Sequence, residues 1–160
     1  MNITKKAQEF KSLTKVVKVT DLENIYLRSC NVWRSLDAFK VGKVEANIEF
    51  DGDLLETSKT DLYAKVDFLI EGIDEERKDE NTVVKIECEY VLYYVIKDKI
   101  GITKKDLRIF CNMNAVYNAW PYCREIVQNM TNRMEIPSLV LPLLKFRVPK
   151  KKTVGREKEK

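Results

Sequence analysis

The chain contains no histidine. Histidine is the commonest general base and the commonest metal ligand, so Ser–His and Cys–His nucleophile pairs are excluded. The five glycines stand singly, which leaves no glycine-rich loop to cradle a phosphate. The four cysteines, Cys30, Cys88, Cys111 and Cys123, are far apart and form no CxxC pair. They read as small buried hydrophobes in a reducing cytosol. No apolar run approaches the ~18 residues of a membrane span. Met1 to Phe10 carries Lys5 and Lys6 with no apolar core after them, so it does not read as a signal peptide. The expected location is cytoplasmic. Carboxylates are plentiful, but Asp74 to Glu80, DEERKDE, reads as a solvated turn rather than a catalytic dyad. These shortages predict a protein that is not an enzyme, with no catalytic residue, no cofactor and no metal.

What is present suits one globular domain. The chain has 160 residues, 44% apolar and 34% charged, enough to bury a core. Residues 4–14 predict a short helix, with Ala7, Phe10 and Leu13 on one face. Four segments then alternate with period two. The first, 22–34, sets Ile25, Leu27, Ser29, Asn31 and Trp33 against Tyr26, Arg28, Cys30 and Val32. The second, 43–55, sets Val44, Ala46, Ile48 and Phe50 against Lys43, Glu45, Asn47 and Glu49. The third, 59–72, sets Leu62, Ala64, Val66, Phe68 and Ile70 against a mostly polar face. The fourth, 81–97, does the same with Val84, Ile86, Cys88, Tyr90, Leu92 and Tyr94. One polar face is the mark of an antiparallel sheet with a wet side. The acidic turn predicts a long hairpin between the third and fourth strands. Thr103 and Asp106 form a capping-box pattern ahead of Leu107, Phe110 and Cys111. Asn112 and Asn114 suggest a break.

The stretch Asn118 to Phe146 is the most informative. Pro121 fits the first turn of a helix and pushes Trp120 toward extended conformations. Tyr122, Cys123, Ile126, Val127, Met130 and Met134 recur at helical spacing. Pro137 and Pro142 then bracket Ser138 to Leu141, which predicts an extended, edge-type strand. Strands first and helices last is an α+β order. The prediction is a four-stranded antiparallel sheet with a helical layer on one face.

This stretch resembles the end of the SecB protein-export chaperone family and its relatives. Trp120-Pro121-Tyr122-Cys123-Arg124-Glu125 is similar to that family's aromatic-Pro-Tyr-Ala-Arg-Glu signature. Ile136-Pro137-Ser138-Leu139 resembles its Phe-Pro-Gln-Leu, and Pro142 to Phe146 its Ala-Pro-Val-Asn-Phe. The upstream half resembles the family in element order only. The basic tail over 149–160 is polar, charged and without periodicity, and so reads as disordered. The resemblance implies a SecB-like chaperone domain over 1–148. It implies an ATP-independent holdase whose clients lie extended in an apolar groove. The groove would comprise Trp33, Leu36, Phe39 and Val41, in the link between the first two strands, with Leu139, Leu141, Leu143 and Leu144. It implies a homotetramer made from two dimers, with Trp120, Tyr122, Cys123, Arg124, Ile126, Val127, Met130 and Met134 at the interface. Partners would be unfolded or precursor polypeptides, or an antitoxin.

Two departures from the family pattern stand out. The export chaperones are strongly acidic and dock the SecA motor on an acidic sheet face, whereas this chain is net +4. That counts against SecA. A lysine-rich tail also stands where the family has another short helix. Both point toward relatives that guard antitoxins. Two other readings stay open. One is a nucleic-acid-binding protein using Lys150, Lys151, Lys152, Arg156, Lys158 and Lys160. The other is an oligomeric interaction module with no chaperone activity.

Overall fold

The computed structural model describes residues 3–38, 42–74, 82–137 and 139–144, with backbone alone at 3–6. The elements run α1 (Ile3–Val17), β1 (Thr20–Arg34), β2 (Glu45–Thr57), β3 (Asp61–Ile73), β4 (Thr82–Ile96), α2 (Lys104–Phe110), a π-helical turn (Cys111–Ala115) and α3 (Val116–Arg133). The strands form one antiparallel sheet in the order β1-β4-β3-β2. The α+β prediction holds, and β3 and β4 pair as the expected hairpin. The link from β1 to β2 must cross the sheet from one edge to the other.

β3 and β4 lie in the middle, and their period-two pattern sets the core. Leu62, Ala64, Val66, Phe68 and Ile70 of β3 are buried, as are Val84, Ile86, Tyr90, Leu92 and Tyr94 of β4. Each Val, Leu, Ile or Phe among them contributes roughly 1.5–3 kcal/mol on burial. Cys111, Ala115, Val116, Ala119, Trp120, Cys123 and Val127 of the helical layer close over them. Phe68 lies 5.6 Å from Trp120 and 6.0 Å from Tyr90, ring centre to ring centre.

Three local expectations are corrected. First, Pro121 does not open a helix. It sits inside α3, and α2, the π turn and α3 run on with helical backbone at each junction. Proline forfeits the bond its N–H would give to the Tyr117 carbonyl. Burial of Val116, Ala119 and Trp120 on one side and Cys123 and Val127 on the other outweighs that loss. Second, Asn112 and Asn114 do not break the helix; a π turn absorbs them. Asn112 Nδ2 donates to Asp51 Oδ1 at 2.9 Å, tying the turn to β2. Gly52 makes this approach feasible. A Cβ there would lie 2.4 Å from the Cys111 carbonyl oxygen and 2.8 Å from Val116 Cγ2.

Third, the described residues after Pro137 form no strand. Two prolines cannot donate to a ladder, and side chains of α3 hold this backbone instead. The Trp120 indole N–H donates to the Pro142 carbonyl at 3.0 Å, and Arg124 Nε donates to the Leu141 carbonyl at 3.1 Å. The capping box is as predicted. Thr103 accepts from the Asp106 N–H, and Asp106 accepts from the Thr103 N–H. Lys15 of α1 lies 3.7 Å from the same carboxylate, which joins α1 to α2.

Candidate polypeptide-binding site

β1 departs from its predicted alternation. Register shifts fall between Leu22 and Asn24 and between Leu27 and Ser29. Each extra residue reverses the parity of the strand beyond it. Leu22, Ile25, Leu27, Cys30, Val32 and Arg34 therefore lie opposite the inward residues Tyr94, Leu92, Tyr90, Cys88, Ile86 and Val84. Ile25 and Leu27 share a face with Cys30 and Val32, not with Ser29, Asn31 and Trp33. Trp33 lies opposite Lys85, on the polar face.

The helical layer packs on β2, β3 and β4 and leaves much of β1 uncovered. Leu22, Leu27 and Val32 are each about two-fifths exposed on the inner face. Tyr122 of α3, 6.5 Å from Tyr90, is also open to solvent, as is Tyr117. Leu22, Leu27, Val32 and Tyr122 form an apolar band that period-two reading could not find, because the two bulges hide it.

At the Arg34 end of β1 two backbone neighbours locate the predicted groove segments. The Ser35 N–H donates to the Val83 carbonyl at 2.9 Å, which pins the start of the crossover against β4. Val84 is the next residue. A Cβ on Gly72, its partner across the ladder, would lie 2.5 Å from Val84 Cγ1, 2.7 Å from Val44 Cγ1 and 3.3 Å from Leu139 Cδ1. The crossover and the closing segment thus share one end of the sheet. Their residues divide by exposure. Trp33, Leu36 and Leu143 are exposed, Leu36 at 91%. Leu139 and Leu141 are buried, and Leu144 packs partly against the core. Phe39 and Val41 lie outside the described residues, as does the predicted tail 149–160. Val140 is 81% exposed and was missed, since the expected strand gave no reason to single it out. A cleft of ≈ 300 Å³ runs between this segment and α3, lined by Pro121, Arg124, Glu125, Gln128, Leu139, Val140 and Leu141.

The predicted interface stripe on α3 also divides. Trp120, Cys123 and Val127 are buried within the chain itself, while Ile126, Met130 and Met134 are half-buried beside the core. Tyr122 remains exposed. Arg124 was expected to make its polar contact at an interface; within the chain it holds the Leu141 carbonyl. Glu125 accepts from Asn129 Nδ2 at 2.6 Å.

The polar face is acidic at its centre. Asp51, Asp67 and Glu89 stand opposite one another across β2, β3 and β4. Like charges at such positions repel. Lys65 partly offsets this, 2.7 Å from Asp67 and 4.0 Å from Glu89, and Arg28 lies 3.1 Å from Glu89. The hydrogen bond to Asp67 raises the Lys65 pKa. With Glu49 and Glu87, these carboxylates line a hollow of ≈ 490 Å³.

No protein-family model matches the chain, and no curated protein matches it in sequence. Solved structures do match. The SecB-like chaperone of Mycobacterium tuberculosis, solved with a ChAD peptide from the HigA1 antitoxin, superposes with a TM-score of 0.72. The match covers 88% of this chain and 99% of that one, at 15% identity. The fold is SecB-like. A protein of unknown function from Streptococcus agalactiae gives a TM-score of 0.44 at 8% identity, over 77% of this chain and 96% of that one; so loose a likeness carries no argument. No helix among the described residues is long and apolar enough to cross a membrane.

Proposed function

We propose that this protein is a holding chaperone that binds non-native polypeptide without nucleotide, and that an antitoxin is its natural client. One observation carries the reading. A SecB-like fold brings the exposed Trp33, near the end of β1, and Leu36 of the crossover to the same sheet end as the closing segment with Val140 and Leu143. Exposed large apolar residues gathered at one place mark a binding surface. Buried Leu139 and Leu141 would serve as its floor. An extended client would gain ~25 cal/mol per Å² of apolar surface buried, less the cost of ordering its own chain. The solved neighbour holds an antitoxin peptide, which favours an antitoxin over an exported precursor. The reading assigns no catalytic residue and a cytoplasmic setting.

The same reading includes self-assembly, with a tetramer as the expected size. The apolar band of Leu22, Leu27, Val32 and Tyr122 supports it. So does β1 itself, an edge strand whose outer backbone groups have no neighbour in the sheet. Nucleic-acid binding is disfavoured, because the Asp51–Asp67–Glu89 row would repel a phosphate backbone. The net charge of +4 counts against the SecA motor as a partner.

The test is suppression of aggregation of a slow-folding substrate, run beside an oligonucleotide gel shift. The proposal expects suppression without ATP and no shift. A salt-sensitive shift without suppression would favour the nucleic-acid reading. Neither effect would leave a plain interaction module.

A further inference from the structure

Cys30 and Cys88 stand directly opposite each other on neighbouring antiparallel strands. The bulge between Leu27 and Ser29 creates this pairing, since without it the parity of β1 would turn Cys30 to the polar face. The two sulfurs lie 3.5 Å apart, with the Cys88 thiol directed at Cys30. Cys88 is buried at 3% exposure, and Cys30 is only half-buried. Both are free thiols. A third thiol, Cys123 of α3, is near enough to perturb Cys88, and the Tyr90 hydroxyl is buried with no hydrogen-bond partner among the described residues. Cys111 is buried within the π turn.

We propose that Cys30 and Cys88 are an oxidisable dithiol that closes into a cross-strand disulfide when the folded chain meets a low-molecular-weight disulfide. Opposed residues of an antiparallel pair have Cα atoms ~4.5 or ~5.5 Å apart. Both values lie within the ~4.4–6.8 Å that a disulfide spans. Side-chain rotation alone can therefore bring the sulfurs to ~2.05 Å. Cys30, the accessible thiol, attacks one sulfur of the small disulfide as its thiolate. A mixed disulfide forms, and one small thiolate leaves and takes up a proton. The Cys88 sulfur then attacks the Cys30 sulfur, loses its own proton to solvent and expels the second small thiol. Two protein thiols are oxidised and one small disulfide is reduced to two thiols. Burial raises the Cys88 pKa, as does the Cys30 thiol beside it, so the second step draws on little thiolate. The contact between the sulfurs offsets this, because the attack is intramolecular.

The bond would fasten an edge strand to the sheet's interior between Leu27 and Val32, three residues before Trp33. It would also close the chain from residue 30 to residue 88 into a loop, which restricts the unfolded state. The inference stands on the register and the sulfur contact and does not depend on chaperone activity.

The experiment treats the full chain with glutathione disulfide under native conditions, alkylates the remaining thiols and maps tryptic peptides. The expected product joins peptide 29–34 to peptide 86–97 within one chain. The oxidised protein should melt roughly 5 °C or more higher, and reductant should reverse this. Cys30→Ser and Cys88→Ser should each abolish the link and the shift, whereas Cys111→Ser should leave both. A link that includes Cys123, a stable glutathione adduct on Cys30, a bond between chains, or a link that forms only in denaturant would overturn the proposal. So would thiols that stay unreacted in the folded chain.

Discussion

The Trp120 indole donates its N–H to the carbonyl of Pro142, 22 residues along the chain. With Arg124 on the Leu141 carbonyl, it fixes the path of the closing segment. Trp120→Phe keeps most of the buried ring and removes the donor. It should cost about 1 kcal/mol, read as a lower denaturant midpoint. Hydrogen exchange should accelerate at residues 139–144 before it does in the sheet. Arg124→Ala should act in the same direction, and the double variant should cost less than the sum, because both bonds serve one segment.

Gly52 sits beneath the π turn with no room for a methyl group. Gly52→Ala would force the Cys111 backbone away from β2 and should destabilise by ~3 kcal/mol or more. Gly42 has nothing within 4 Å of a Cβ position, so Gly42→Ala should be near neutral. Thermal unfolding of both variants beside the parent checks the contrast.

Much of this architecture is legible in the sequence. β3 and β4 follow strict alternation because both are central strands with one face on the helices. The capping box at Thr103 and Asp106 is local chemistry and reads directly. The failures are equally physical. Two bulges in β1 leave no mark on composition, yet they decide which side of the sheet carries Trp33 and Cys30. Pro121 reads as a helix start on local grounds, but buried Val116 and Trp120 continue the helix through it. The Pro137–Pro142 segment has strand composition. Its partners are the Trp120 and Arg124 side chains, which only the fold brings near. That crossover and closing segment share one sheet end depends on strand order, and no spacing in the chain encodes that.

Asp106 anchors the cap of α2 and the contact with Lys15. A hydrogen bond from Ser12 lowers its pKa from the ordinary 3.8 to about 2, with further help from Thr103 and Lys15. The folded value is depressed, so the stabilisation is fully present above about 3.8. It is lost as pH falls through about 2. Denaturant midpoints between pH 5 and pH 2 should fall with acid, and Asp106→Asn should flatten that fall. At neutral pH the same variant should cost about 1 kcal/mol, the usual worth of a cap.

Leu36 and Trp33 are open members of the proposed groove, and their exposure makes them separable from the core. Leu36 is 91% exposed and Trp33 is 53% exposed, so replacing both with Ala should change stability by less than ~1 kcal/mol. Binding should suffer far more. Losing ~100–200 Å² of apolar contact at ~25 cal/mol per Å² weakens client affinity by ~2.5–5 kcal/mol as an upper range. Fluorescence titration with an unfolded client should show at least a tenfold rise in Kd. Unchanged affinity in a folded double variant would remove the crossover from the binding surface.

Tyr122 tests assembly without disturbing the core. It is 47% exposed, whereas Ile126 and Met130 already pack beside the chain's own interior. Aspartate at either of those two positions would confuse unfolding with dissociation. Tyr122→Asp puts a charge beside the open band of Leu27 and Val32, and an unpaired charge is costly to bury at an interface. Light scattering at micromolar concentration should show the parent as an oligomer and the variant at lower mass, with matching circular dichroism. Leu27→Asp, on the facing strand, should do the same. A parent chain that runs as a monomer, or a Tyr122→Asp variant with unchanged mass, would remove the β1–α3 band from any assembly surface. It would leave the apolar band to be explained by client contact alone.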